Sequence, residues 1–232
     1  MSSQFNKNND DGSDDVGQQA EQIQWRLKEW CKDFSPLQHK KFQVYHAELL
    51  KFYKKINLIS PKSIFNADAV HFADCIFACK IIRSAYPKMN ELYDLGSGNG
   101  FPGMAYAILY PETKVILIDS DLKRCDFMKH VASKVEAKNI EVRCQTIESL
   151  PDASIGFAIS RSFLSLSKAL YTTRKMIKNE GVYFHLKGDE WGLEITDLPS
   201  QICAIWNPAL LGQYKVPTLQ NPLFVLKTTK IG

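Results

Sequence analysis

The chain has 232 residues, 45% hydrophobic and 23% charged, enough to bury one substantial core without disulfides or a structural metal. No stretch approaches the roughly 20 apolar residues of a membrane-spanning helix and the N-terminus has no apolar signal core, so the cytoplasm is expected. The net charge of +4 hides a division: Lys7 against Asp10, Asp11, Asp14 and Asp15 makes the first 20 residues −3 and leaves +7 on the rest, a sign that favours encounter with a polyanion.

Residues 1–17, rich in Asn, Asp, Ser, Gly and Gln, are expected to form a disordered acidic tail. Residues 18–84 read as a helical section. Ile23, Leu27, Trp30 and Phe34 recur at helical spacing, Pro36 breaks the pattern, and Leu37, Phe42, Tyr45, Leu49 and Phe52 resume it. A third helix is expected over 60–82. From about 85 to 232 the pattern becomes strands alternating with helices: strands at "ELYDL", "TKVILIDS", "NIEVRCQ", "SIGFAISRS" and "GVYFHLKG", with helices at "FPGMAYAILY", "DLKRCDFMKHVASKVE" and "LSKALYTTRKMI". That rhythm predicts a doubly wound, mostly parallel α/β sheet. "QICAIWNP" and "NPLFVLKTTK" read as two further strands with no helix between them, which suits an antiparallel edge.

Six cysteines are scattered without a Cys-x-x-Cys pair and read as reduced core residues. His71, Cys75 and Cys79 are one helical turn apart, but no second cluster completes a ligand set, and no metal is expected.

The segment "YDLGSGNGFPG" carries the chemistry. Gly96, Gly98 and Gly100 follow a strand and precede a helix, so the backbone can fold tightly and approach a ligand, and Asp94 sits just ahead at a buried position. Gly98, Gly100 and Gly103 spell the G-x-G-x-x-G dinucleotide fingerprint, with Asp119 21 residues beyond Gly98. The same stretch, with Asp94, spells the Asp-x-Gly-x-Gly-x-Gly motif of class I S-adenosylmethionine-dependent methyltransferases, in which an acid such as Asp119 holds the ribose. Pro102 removes an N–H donor that a pyrophosphate would need at the helix start. Ile147 and Glu148 stand where class I methyltransferases hold the adenine, and the two final strands suit a seven-stranded methyltransferase sheet, so the methyltransferase reading is favoured over a nicotinamide-binding one.

Taken in order, "INLIS", "HFADCI", "DLGSGNGFPG", "LIDSDLKR", "IESL", "ISRSFLSL" and "HLKG" resemble the GidB (RsmG) family of 16S ribosomal RNA guanine-N7 methyltransferases, over residues from about 37 to 229. The resemblance implies a Rossmann-like class I fold over 85–232, S-adenosyl-L-methionine as cofactor, and 16S RNA or a small-subunit particle as partner of a monomer. It implies cofactor contacts from Asp94, Gly96, Gly98, Gly100 and Phe101, ribose binding by Asp119, and the adenine between Ile147 and Glu148. Arg161 would sit at the methionine or target end and position the reactants. Lys123, Arg124 and Lys187 are expected at RNA phosphates. His71 and Asp74, three apart on one helical face, would meet and either clamp the helical section to the catalytic domain, the favoured role, or reach toward RNA, and Asn57 would end its helix. N7 of guanine holds an in-plane lone pair, so no general base is required. Neither the Asn-Pro-Pro-aromatic motif of exocyclic-amine enzymes nor the Pro-Cys of pyrimidine C5 enzymes follows "SIGFAIS". Thr146, Ser162 and Leu122 depart from the family's usual residues. A methyltransferase of the same fold acting on a small molecule or protein stays as the alternative.

Overall fold

The computed structural model describes residues 23–232, so the acidic tail expected over 1–17 lies outside the described residues. After a single helical turn, α1 (Leu27–Trp30), comes the long α2 (Pro36–Ile56). Ser35 and Gln38 form a reciprocal capping box at the start of α2 with Pro36 in its first turn, and Asn57 closes it in the left-handed conformation that a short amide tolerates. Pro36 therefore begins a helix.

Two expectations for this section are corrected. Residues 23–26 are not helical: Arg26 donates from its backbone N–H and its Nε to Asp68 Oδ2 at 2.8 and 2.9 Å, and from Nη2 to Oδ1 at 2.7 Å. Asp68 is fully buried, and satisfying it there outweighs a helical periodicity worth only tenths of a kcal/mol per residue. Nor is 60–82 one α-helix. A Ser60–Ser63 turn leads into a 3₁₀ turn (Ile64–Asn66) and a π-helical segment (Asp68–Ala73) before α3 (Asp74–Ala85) begins.

The alternating part gives β1 (Glu91–Leu95), α4 (Gly103–Leu109), β2 (Lys114–Asp119), α5 (Leu122–Lys134), β3 (Ile140–Cys144), β4 (Ile155–Arg161), α6 (Leu166–Thr173) and β5 (Ile177–Lys187). Two short helices, α7 (Trp191–Thr196) and α8 (Ser200–Cys203), precede β6 (Trp206–Tyr214) and β7 (Leu223–Lys230). "QICA" is thus a turn of helix, started where Ile202 and Cys203 donate to Pro199 O, and the strand begins only at Trp206.

The seven strands run in the order β3-β2-β1-β4-β5-β7-β6. The first five are parallel, and β7 is antiparallel to both neighbours, as two successive strands without a crossover helix require. Alternate residues of each strand feed opposite faces. Leu92, Val115 and Leu117 join Leu27, Phe42, Leu49, Phe72 and Ile76 in one apolar cluster, so the helical section and the sheet share a core. Tyr93, Leu95, Ile116 and Ile118 join Leu166, Leu170 and Trp206 on the other face. Among the described residues no helix is long and apolar enough to cross a membrane.

Candidate cofactor and substrate cavities

The glycine loop leaves β1 at the carboxyl edge of the sheet, the edge at which doubly wound folds bind ligands. Gly96 and Ser97 both donate to Ile118 O at 2.9 Å, which ties the turn to β2. Gly96 has φ +71° and a Cβ built on it would lie 2.2 Å from the Phe163 ring, so neither the backbone nor the space admits a side chain. Gly103, at the start of α4, is as constrained by packing: a Cβ there would lie 2.5 Å from Leu117 and 2.7 Å from Asp94 Oδ2.

The two acids of the motif do different work. Asp94 is fully buried behind the loop, where its Oδ2 accepts the Gly103 N–H at 2.7 Å and its Oδ1 has no partner among the described residues. Burial pushes its pKa up to about 7 against the opposing effect of that hydrogen bond. It lines neither cavity described below, nor does Gly100, so both shape the loop from behind. Asp119, at the end of β2, faces a cavity of about 450 Å³. Its Oδ2 accepts the Gly98 N–H at 2.8 Å and its Oδ1 the Asp121 N–H at 2.9 Å. Two amides fix the carboxylate and leave each oxygen a second lone pair for a hydroxyl. Ile147 and Glu148 line the same cavity, an apolar wall beside a carboxylate.

A second cavity of about 740 Å³ adjoins the first, and Gly96, Arg124 and Ser162 line both. Gly98 and Phe101 face this one, Phe101 with only 2% of its surface exposed because it stacks on Tyr45 at 4.7 Å and meets Phe72 edge-on at 4.8 Å. Tyr45 also donates to Asn99 O at 2.7 Å, so α2 braces the loop directly.

The far wall of the second cavity is a buried ionic knot. Arg161, at the end of β4, donates from Nη1 to Val70 O at 2.9 Å and to Asp74 Oδ2 at 3.0 Å, and from Nη2 to His71 Nδ1 at 2.8 Å. The guanidinium lies 5.5 Å from the Phe101 ring centroid. Because arginine can only donate, His71 Nδ1 must be the accepting nitrogen and His71 is neutral. Burial, with Arg161 beside it, drops the His71 pKa to about 3. Tyr214 of β6 completes the knot, donating its hydroxyl to Asp74 Oδ1 at 2.5 Å. The wide π turn presents Val70 O and His71 beside Asp74, the first residue of α3, in keeping with the frequent use of such turns at functional sites. Although their spacing predicts that they meet, His71 and Asp74 are not bonded to each other; each binds Arg161, which ties the helical section to β4, and Asn57 stands at the αL end of its helix.

The three basic residues separate. Lys123 is exposed, and Arg124 lines both cavities with Nη1 3.9 Å from Asp119 Oδ2. Lys187 faces the larger cavity, but its ammonium lies 2.7 Å from Glu194 of α7, whose Oε2 also accepts the Leu166 N–H. Its charge is thus spent inside the fold. Cys75 and Cys79 are fully buried in the core. Sequence reasoning missed Tyr45, Tyr214 and Phe163 as parts of the site: the first read as a core position, and nothing local ties the other two to the loop.

A profile of the family described as rRNA small subunit methyltransferase G (GidB) matches residues 38–205. The chain is 45% identical over 219 residues to ribosomal RNA small subunit methyltransferase G 3 of Bdellovibrio bacteriovorus, covering 94% of this chain and 99% of that protein. It is 32% identical to ribosomal RNA small subunit methyltransferase G of Pseudomonas syringae pv. syringae, over 79% of this chain and 84% of the relative. Among solved structures, 1,6-didemethyltoxoflavin-N1-methyltransferase of Burkholderia thailandensis, which holds S-adenosylhomocysteine, superposes with a TM-score of 0.53 over 86% of this chain and 92% of that one, at 11% identity. That likeness speaks for the class I methyltransferase fold.

Proposed function

The chain belongs to the rRNA small subunit methyltransferase G (GidB) family, and from that we propose that it transfers the methyl group of S-adenosylmethionine to N7 of a guanine in 16S ribosomal RNA. The observation that supports this best is the pair of joined cavities. The smaller has a carboxylate held by two backbone amides beside an apolar wall, the hydroxyl acceptor and flat apolar surface an adenosine calls for. The larger opens from the same glycine and is wide enough for a base.

The residues present fit the cofactor. Asp119 would take the ribose hydroxyls, Ile147 and Glu148 the adenine, and Gly96, Gly98 and Phe101 the amino-acid end, which enters where no side chain stands. Arg161 holds the wall facing that end. Bound there, the cofactor supplies an electrophilic methyl on a sulfonium. The chain's own task is orientation: a purine nitrogen with a free in-plane lone pair has no proton to lose, and presenting it to the methyl at a near-attack distance of about 3–3.5 Å is the main catalytic demand. His71 suits this role as a fixed neutral wall, since its Nδ1 accepts from Arg161 and its Nε2 bonds Ser63 Oγ at 3.1 Å, leaving no nitrogen free as a base. Asp74 lines the larger cavity and offsets the positive charge that a methylated purine gains.

Lys123 and Arg124 are the phosphate contacts in this reading, and Lys187 serves the wall. The cytoplasm, where ribosomal RNA is found, and a monomeric working form belong to the same proposal. Methyl-tritiated S-adenosylmethionine, offered with bare 16S RNA and with small-subunit particles, should label RNA in at least one form and yield 7-methylguanine on digestion. Absence of label from both, or label in another nucleoside, would overturn the assignment.

A further inference from the structure

The longest helix and the helix after β2 lie side by side in opposite directions. Lys41 of α2 donates to Glu136 O at 3.1 Å just past the end of α5. Further along α2, Glu48 meets His130 at 2.6 Å, and Phe52 packs on Phe127 at 5.8 Å. Advancing along α2 therefore means retreating along α5, which brings the end of α2 level with the start of α5 one turn beyond the Phe52–Phe127 contact. Both ends are basic. Lys51, Lys54 and Lys55 are exposed on α2, and Lys51 and Lys55 flank the Phe52 ring at 5.5 and 5.9 Å. Lys123 and Arg124 occupy the first turn of α5.

Cations at the end of a helix can be explained by its own dipole, which accounts for Lys54 and Lys55. The same dipole disfavours Lys123 and Arg124 at a helix start, and their like-charged neighbours on α2 disfavour them further. Acids do not resolve the excess. Glu48 is engaged by His130 and lies 3.8 Å from Lys51, Asp126 lies 3.9 Å from Lys129, and Asp121 caps its helix through the Arg124 N–H. Among the described residues none of Lys54, Lys55, Lys62 and Lys123 has an ion-pair partner. The patch runs to the site: Arg124 lines both cavities, and Lys62, on the turn after α2, stands exposed on the wall of the larger one.

We infer that the end of α2, the start of α5 and Lys62 form one docking platform for the RNA phosphate backbone, with the helical section supplying Lys51, Lys54, Lys55 and Lys62. This rests on the RNA substrate proposed above and says where that RNA lies: along the seam of the two helices, leading its target base past Arg124 into the larger cavity. Lysines outside the cavity set affinity and register while base identity is read inside.

The test is the triple variant K51Q/K54Q/K55Q, compared with K40Q/K134Q, which removes exposed lysines from the opposite ends of the same two helices. Binding to small-subunit RNA is measured across a salt series, together with S-adenosylhomocysteine affinity and thermal unfolding. The triple variant should bind RNA at least about tenfold more weakly near physiological salt, and its log–log salt slope should shrink by about two, from three lost contacts at roughly 0.7 each. KM for RNA should rise with kcat held. Cofactor affinity and unfolding should stay put, as should RNA binding by K40Q/K134Q, and K51R/K54R/K55R should restore wild-type behaviour. Unchanged affinity and slope in the triple variant, with the wild type binding RNA normally, would overturn the platform alone. Equal losses in both variants would reduce it to general surface charge and overturn it too. A wild type with no salt-dependent RNA binding would overturn the RNA reading itself.

Discussion

The two cavities meet at Gly96 but are built in contrasting ways. The smaller is made from strand ends near one another in sequence, β2 with Asp119 and the turn after β3 with Ile147 and Glu148, and its key carboxylate is held by backbone amides. The larger is made from side chains brought together over long separations: Arg161 reaches His71 across 90 positions, and Tyr214 reaches Asp74 across 140. The first depends on local geometry, the second on the whole fold. Damage to the second should therefore spread into stability, and damage to the first should stay mostly in binding.

The largest effect is expected at Arg161. R161M leaves the buried Asp74 carboxylate with Tyr214 alone, and losing one partner of a buried pair costs about 3–5 kcal/mol. Urea unfolding should show that loss and methyl transfer should vanish. Stability within about 1 kcal/mol of wild type would dissolve the contrast between the cavities. Next comes Asp119. In D119N the amide nitrogen must face either the Gly98 or the Asp121 N–H, and charge-assisted bonds of this kind are worth about 1.5–3 kcal/mol. S-adenosylhomocysteine affinity by calorimetry should fall by at least about tenfold, with a smaller change in unfolding than R161M gives. For G96A, left-handed strain of about 1–2 kcal/mol adds to the overlap with Phe163. The double variant G96A/F163A should recover part of the lost cofactor affinity, and a simple sum of the two single effects would show that the ring and the glycine do not interact.

The pH dependence sharpens the comparison from another side. Burial holds His71 and His185 at about 3 and His46 at about 4, below the unfolded value near 6.5. Their unfolded forms bind protons that the folded ones do not, so stability falls as pH drops below about 6.5. Asp94, raised to about 7, has the opposite sign: the folded form holds the extra proton, and its contribution weakens as pH climbs from about 4 to 7. Removing it in D94N should steepen the acid-side fall in unfolding midpoint between pH 7 and 5. A shallower fall would contradict a protonated Asp94. The smallest effect is expected at Lys187, whose ammonium is committed to Glu194: K187Q should weaken RNA binding less than K123Q does.

How much of this was legible in the sequence follows the same division. The glycine loop, Asp119 and most of the strand–helix alternation are written in contiguous segments, and the structure puts them where their pattern placed them, although the helix expected over 166–177 ends at Thr173 and β5 already begins at Ile177. The His71–Asp74 clamp was visible as a spacing of three, though not that Arg161 would be its third member. What failed were one element set from a distance and one set by a neighbouring proline whose signal the apolar pattern masked. Ile23–Arg26 looked helical until a buried Asp68 claimed Arg26, and "QICA" looked like a strand although Pro199 starts a helical turn there. Lys187 illustrates the limit for charge, since no local signal tells a lysine that faces solvent from one already answered by Glu194 on a helix the sequence did not announce.

The position of β7 between β5 and β6 governs the order in which the site matures. β6 touches the sheet only through β7, so it can join only as half of a docked hairpin, a late and non-local event in folding. The glycine loop is held by β1, β2 and Tyr45 of α2, none of which belongs to that hairpin, yet Asp74 receives its Tyr214 hydroxyl from the last residue of β6. An assembling chain is therefore expected to gain its cofactor loop before its substrate cavity is finished. In the native state, amides of the β6–β7 hairpin should exchange with solvent sooner than those of β1 and β2, opening the substrate side while the cofactor side stays closed.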